Sequence, residues 1–197
     1  LALFIFSLDS SMMPLFHIGL ERNVPSTFAF FQLVLVSVLL AMLYLREKNF
    51  FFMNFSWIAF YLALDELSAI HERLGLLLGE QLIGAFPNNA MVKLLEVNPR
   101  FAWLIIYVPV TAIILITVAR FMLAQKKTHP KAIMLLALGI GIALLGAVGF
   151  ELVEIAIRNR IVEIPYTLST LFEEGLEMLG LNFIIFGLLT YWAGDRE

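Results

Sequence analysis

The sequence predicts an all-α, polytopic integral membrane helix bundle with five transmembrane helices. Of its 197 residues, 61% are hydrophobic and 15% are charged, whereas a soluble domain typically has about 25% charged residues. Five segments are long enough to cross a bilayer, which requires about 20 predominantly apolar residues. Because the chain contains no internal repeat and no soluble region, we expect a single bundle domain over residues 1–197.

The helices differ in how strongly the sequence supports them. Three are nearly uninterrupted apolar runs, and the second and fifth contain several charged residues that must face protein if these helices span a membrane. The connection 77–101 alternates apolar and polar residues, which is typical of a short interfacial helix. The N-terminal stretch LALFIF fits the end of a sixth helix. The five expected ranges are 26–46, 54–78, 101–125, 131–158 and 166–193.

Composition and charge restrict the functions and the location of the chain. The sequence has no cysteine, which excludes disulfides, thiolate ligands and iron–sulfur clusters. A net charge of −3 offers no basic surface for nucleic acid. The loops REKN (46–49) and QKKTHPK (125–131) fall on one side, and cytoplasmic loops are enriched in Lys and Arg. We therefore expect a bacterial inner (cytoplasmic) membrane, with Lys126, Lys127 and Lys131 in the cytoplasm.

Acidic residues recur in three of the expected helices. At about 1.5 Å and 100° per residue, they lie at similar depths in the outer half of the bilayer, and each helix carries its carboxylates on one face. A charge at the centre of a bilayer costs at least ~2.5–3.5 kcal/mol, so such groups normally face the bundle interior and serve a function. The three stretches are DELSAIHER (65–73), GFELVEIAIRN (149–159) and LFEEGLEMLG (171–180).

These stretches predict a metal site. Carboxylates and imidazole are suitable ligands for Fe, Mn or Zn. Arg73 and Arg158 cannot balance seven carboxylates, so we expect one or two bound divalent cations. Glu173 is expected to handle protons beside the metal and is the candidate catalytic residue. The expected ligands are Asp65, His71, Glu72, Glu151, Glu154, Glu174 and Glu177.

The two ExxE pairs, Glu151/Glu154 and Glu174/Glu177, resemble in geometry the sites of four-helix di-iron and di-manganese carboxylate proteins. Here Glu stands in place of the His of those sites, and His17 is a candidate second imidazole ligand. Glu66 and Arg73 are spaced to pair beside the site. Small residues allow helices to approach closely, and close contacts with a neighbouring helix are expected at Gly139, Gly146 and Gly149.

Three classes of function remain open, and the sequence does not decide whether the chain is an enzyme. The first is a metal-dependent membrane enzyme that oxidises a lipophilic substrate. The second is an accessory subunit of a larger membrane complex, in which the acidic network is structural. The third is an oligomeric carrier of protons or divalent cations. The expected partners are the lipid bilayer and either partner membrane subunits or further copies of this chain, with no nucleic acid.

Overall fold

The computed structural model describes residues 24–96 and 98–194, so that LALFIF and His17 lie outside the described part. All regular secondary structure within that part is helical. A 3-10 turn (Pro99–Ala102) precedes α5, and a π-helical segment (Leu145–Phe150) joins α6 to α7. The helices are α1 (Val24–Glu47), α2 (Phe50–Ser68), α3 (Ile70–Ala85), α4 (Ala90–Leu95), α5 (Trp103–Gln125), α6 (Pro130–Leu144), α7 (Glu151–Arg158) and α8 (Tyr166–Ala193).

The prediction of a five-helix membrane bundle is confirmed for the described residues. Five helical stretches are long and apolar enough to cross a membrane: α1, α2, α5 with its preceding 3-10 turn, α6 continued through α7, and α8. The short helix α4 lies in the connection where the sequence predicts one. Fully buried Phe52 and Leu43 belong to an apolar core formed mainly by α1, α2, α6 and α8.

The second expected helix is not continuous. It ends at Ser68, Ala69 adopts a left-handed conformation (φ 50°, ψ 47°), and α3 begins at Ile70. The expectation of one helix over 54–78 was therefore wrong. The physical reason lies in the Asp65 side chain, which accepts a hydrogen bond from the backbone N–H of His71 at 2.7 Å. A carboxylate in this position satisfies an N–H that has no partner at the start of a helix.

Glycines set the packing between α6 and α8. A Cβ on Gly139 would lie 2.7 Å from the carbonyl oxygen of Gly180, and one on Gly146 would lie 2.8 Å from that of Glu173. The close contacts expected at Gly139 and Gly146 are therefore confirmed. The expectation for Gly149 was wrong, because the nearest side chain there is Leu145 of the same π-helical segment. A π turn holds more residues than an α turn and rotates Gly149 away from the line of the other two.

Two further glycines fix the position of α3. Gly75 and Gly79 are buried against the 3-10 turn, and a Cβ on either would collide with a backbone carbonyl oxygen, of Arg100 or of Pro99 respectively. Only glycine permits this approach. The contact places Arg100 and Trp103 beside the first turn of α3, where His71 and Glu72 lie.

Candidate metal site in an acidic cavity

A cavity of about 600 Å³ lies within the bundle. It is lined by every described residue that the sequence analysis assigns to the site, together with Glu66. α2, α3, α7 and α8 supply these residues, so the structure brings the three acidic stretches to one space. The assigned residues that line it are Asp65, His71, Glu72, Glu151, Glu154, Glu173, Glu174 and Glu177.

Three of these carboxylates form a close cluster. Glu151 and Glu154 of α7 and Glu173 of α8 each offer one ligand oxygen, and these oxygens lie within 4.8 Å of one another. We call these residues the carboxylate triad. Ligands on opposite sides of a divalent cation are about 4–5 Å apart, so the triad has a suitable size for one ion. The structure thus places Glu173 among the candidate ligands, whereas the sequence suggested that it acts beside them.

Two neighbouring side chains hold two members of the triad, Glu154 and Glu151, in place. The Arg158 Nε donates a hydrogen bond to Oε1 of Glu154 at 2.5 Å, and the Trp103 Nε1 donates one to Oε1 of Glu151 at 2.9 Å. Each carboxylate has a second oxygen and further lone pairs. Groups that hold ligands in this way fix their orientation and tune a metal site.

Asp65 and His71 form a pair of their own. Nδ1 of His71 donates to Oδ2 of Asp65 at 2.9 Å, in addition to the backbone hydrogen bond that joins the same residues. The imidazole packs edge-on against the indole of Trp103, with the ring centroids 5.0 Å apart. Since Trp103 bonds to Glu151, one indole ring separates His71 from the triad.

The environment of His71 shifts its titration. Burial lowers the pKa of the imidazole, whereas the hydrogen bond and the negative charge of Asp65 raise it. The charges of Glu72 and Glu151 raise it further, and the net pKa lies above the ordinary value. His71, which follows the membrane-spanning stretch Phe50–Ser68, is therefore a stronger base than an isolated imidazole.

The structure differs from the expectations that Glu72 is a metal ligand and that Glu66 pairs with Arg73. Nη1 of Arg100 donates to Oε2 of Glu72 at 3.0 Å, so this carboxylate, expected to be a ligand, already has a cationic partner. Arg73 is exposed to the surroundings, whereas Glu66, its expected partner, lines the cavity. The carboxylates of Glu66 and Glu174 are close enough to Glu177 to interact electrostatically.

Sequence reasoning missed the residues that arrange the carboxylates. Arg100 and Trp103 lie in a connection and at a helix start, where a cation and an indole are common in any membrane protein. One signal was available, because Gly75 and Gly79 have the small-xxx-small spacing that marks close helix contact. The Tyr61 and Tyr107 hydroxyls, which hydrogen-bond to each other beside His71, carried no such signal.

The fold and this cavity define a class: an α-helical membrane protein that gathers carboxylates from several helices around one internal space. Residues 4–192 match a family described as "Domain of unknown function (DUF8692)", and the chain belongs to that family. The search of curated proteins and the search of solved structures found no match to the chain.

Proposed function

We propose that the protein is a membrane-embedded metalloprotein that holds a divalent cation in the carboxylate triad and acts on a lipophilic substrate in the adjoining cavity. The geometry of the triad carries this proposal, because three carboxylate oxygens from two helices converge within 4.8 Å. Such a concentration of negative charge inside a membrane protein requires compensation. Within residues 24–96 and 98–194, the ion pair next to the triad is that of Arg158 with Glu154, which supplies one positive charge.

The donor set favours a hard cation. All three ligands are carboxylates, and oxygen-only sites suit Mg²⁺, Ca²⁺ and Mn²⁺, whereas Zn²⁺ and Fe commonly take imidazole as well. Among the ions expected from the sequence, Mn²⁺ fits this set best. His71 pairs directly with Asp65, and the indole of Trp103 lies between His71 and the triad. His71 therefore serves the site as a base rather than as a ligand.

These parts are sufficient for an enzyme. A cation in the triad would polarise a substrate oxygen or a bound water molecule, which is the usual contribution of a metal ion to catalysis. His71, oriented by Asp65, would accept the proton that is released. Oxidation of a lipophilic substrate, the reaction first expected, requires in addition a redox-active ion, a condition that Mn²⁺ meets and Mg²⁺ does not, and an external oxidant such as dioxygen that accepts the electrons of the substrate.

The rest of the cavity argues against a carrier of ions. A carrier needs polar access from both sides of the membrane, yet the cavity beyond the carboxylates is lined by apolar side chains such as Phe51, Phe121 and Leu188. Phe51 and Phe121 stack with their ring centroids 3.9 Å apart. An apolar continuation suits a lipophilic ligand and not a hydrated ion.

The proposal includes a location. We place the chain in a bacterial inner membrane, with Lys126, Lys127 and Lys131 on the cytoplasmic side, on the basis of the bias of Lys and Arg toward cytoplasmic loops. The triad then belongs to the outer half of the bundle. Lipid is the immediate partner of its exposed apolar side chains, among them Phe31, Trp57 and Ile113.

Metal analysis of the purified protein tests the proposal. The full chain, purified without chelator and reloaded with Mn²⁺, should retain about one ion per chain, as expected for a single three-carboxylate site. Glu173→Gln keeps the size of the side chain but removes its charge, and it should reduce the retained Mn²⁺ severely. Glu163→Gln makes the same change at an exposed position outside the cavity and should retain the ion.

Two results would refute the metal site. Wild-type protein that retains no Mn²⁺, Mg²⁺, Fe or Zn after reloading would show that the triad is an ionic or protonated network. Equal metal content in Glu173→Gln and wild type would show that the ion is bound elsewhere.

A further inference from the structure

The cavity has a polar end and a mainly apolar extension along α5. Trp103 lines the end that holds the carboxylates, and Tyr107 follows it one turn further along the helix. From Tyr107 to Phe121, which also lines the cavity, α5 advances about 21 Å at 1.5 Å rise per residue. The cavity volume of about 600 Å³ falls within the range of about 300–1,000 Å³ that is usual for ligand pockets. The space therefore suits an extended alkyl chain whose head group lies beside Tyr107.

The hydroxyls of Tyr61 and Tyr107 retain one hydrogen for a further partner. They form a hydrogen bond with each other, and two hydroxyls that share one such bond use only one of their two O–H hydrogens. Tyr61 does not line the cavity and is 41% exposed on a membrane-spanning helix, where hydrocarbon accepts no hydrogen bond. Tyr61 is therefore the donor within the pair. The hydroxyl hydrogen of Tyr107 remains available to an acceptor in the cavity.

His71 offers the complementary group to the same space. Its Nδ1 donates to Asp65, so in the neutral form of the ring Nε2 carries the lone pair that accepts a hydrogen bond. His71 and Tyr107 both line the cavity, and the centroids of their rings lie 6.3 Å apart. A donor and an acceptor thus border the cavity on neighbouring rings.

This pairing selects the head group of a ligand. A hydroxyl accepts one hydrogen bond and donates another, whereas an ether oxygen only accepts and a protonated amine only donates. A buried donor or acceptor that is left without a partner lowers affinity more than the loss of an average hydrogen bond does. A hydroxyl is therefore the smallest head group that satisfies both Tyr107 and His71.

We propose that the cavity binds a long-chain primary alcohol. The alcohol oxygen accepts a hydrogen bond from the Tyr107 hydroxyl, and the alcohol O–H donates to Nε2 of His71. The alkyl chain extends along α5 and α8 toward Phe51 and Tyr191, which line the far part of the cavity. This inference rests on the proposed function, since it names the substrate class for the same cavity, and it is tested by binding alone.

A dodecanol that carries a photoreactive diazirine in its alkyl chain is a suitable probe for the full chain in lipid nanodiscs. Unlabelled dodecanol should suppress photolabelling at a concentration about tenfold below that needed of methyl dodecyl ether, because the ether cannot donate to His71. Protonated dodecylamine cannot accept from Tyr107 and should also compete about tenfold less well than dodecanol. Equal competition by the ether or by the amine would overturn the proposal, since neither presents both a donor and an acceptor.

Two variants separate the two hydrogen bonds. His71→Phe removes the acceptor and should abolish the preference for dodecanol over the ether. Tyr107→Phe removes the donor, so it should weaken the binding of both compounds by about tenfold and leave that preference in place. Tyr44→Phe makes the same change at a residue outside the cavity lining and should bind both compounds like wild type.

The preference is a ratio measured within one variant and does not depend on the amount of folded protein. An unchanged preference in His71→Phe would refute the role of the imidazole as acceptor. Unchanged binding in Tyr107→Phe would refute the role of the tyrosine hydroxyl as donor.

Metal content measured on the same preparations separates the two proposals. A chain that retains Mn²⁺ but shows no preference for the alcohol overturns only the substrate class. A chain that prefers the alcohol but retains no cation supports this inference and overturns only the metal site.

Discussion

The carboxylate of Asp65 links two helices by accepting two hydrogen bonds from His71, one from the backbone N–H at 2.7 Å and one from Nδ1 at 2.9 Å. The first bond caps α3, and the second orients the imidazole toward the cavity. A single buried side chain, 6% exposed, thereby determines both the break in the second membrane helix and the direction of its histidine.

Removal of this cap should destabilise the bundle. We expect Asp65→Ala to lower the free energy of unfolding by about 1–2 kcal/mol, because the N–H of His71 loses its acceptor at a helix start. Thermal unfolding of the purified protein measures the effect. Glu80→Ala, an exposed change within α3, is the control and should unfold like wild type. If both variants unfold alike, Asp65 does not stabilise the break.

The Asp65–His71 pair should make stability depend on pH. The pKa of His71 is raised in the folded protein, so its contribution to stability is complete below the unfolded pKa of roughly 6.5 and is lost as the pH rises through the folded pKa. The melting temperature of wild type should therefore fall, relative to that of His71→Gln, as the pH increases above this value. Asp65→Asn should flatten the same dependence. A difference that grows with pH would contradict the sign.

The packing of α6 on α8 should not tolerate a side chain at Gly146. A Cβ there would lie 2.8 Å from the carbonyl oxygen of Glu173, and we expect Gly146→Leu to destabilise the bundle by at least about 1–3 kcal/mol, as overpacking typically does. Gly141→Leu in the same helix is the control, because a Cβ at Gly141 meets no atom within 4 Å. Thermal unfolding compares the two variants, and equal melting would show that α6 does not pack on this face.

The indole of Trp103 should influence the proposed metal site without contacting the bound ion. Its Nε1 donates to Glu151, and loss of a group that holds a ligand typically costs about 10–100-fold in metal affinity. Trp103→Phe should therefore weaken Mn²⁺ binding by about tenfold, as measured by titration of the metal-free protein. Trp57→Phe, at an indole residue that is 67% exposed, should have no effect. Unchanged affinity in Trp103→Phe would remove Glu151 from the site.

The proposed orientation can be tested on a chain that contains no cysteine. Lys127→Cys and Glu163→Cys are both exposed, and they lie in loops at opposite ends of the helix formed by α6 and α7. A membrane-impermeant maleimide applied to intact cells should label position 163 and leave position 127 unlabelled. The reverse pattern would invert the topology.

Much of the fold could be predicted because the bilayer imposes a length on each apolar run. All five spans follow from that rule, and Gly139 and Gly146 pack as their spacing indicates. The break at Ala69 could not be predicted, since neither Gly nor Pro marks it. It depends on the hydrogen bond that the Asp65 side chain accepts from the backbone N–H of His71, six positions later.

The sequence could predict which residues line the candidate site, but not which of them contact one another. Charged side chains within an apolar membrane helix face the bundle interior, and all the described residues that the sequence analysis assigned to the site do line one cavity. The angular position of a carboxylate on its own helix does not show which other side chains it contacts, because those side chains belong to other helices and turns. Glu72 meets Arg100 from the 3-10 turn, and Glu151 meets Trp103 from α5. Glu173 joins the triad because Gly146 lets the backbone of α8 approach.

The π-helical segment Leu145–Phe150 makes the site depend on the number of residues that precede α7. A π turn contains an additional residue, and each residue of an α-helix advances it by about 100°. Deleting one residue from this segment would allow regular α-helical hydrogen bonding and would turn Glu151 and Glu154 away from Glu173 by about that angle. Every carboxylate would still be present in the sequence, but the triad would not form. In this chain the spacing from Gly146 to Glu151 is therefore as necessary to the triad as the carboxylates themselves.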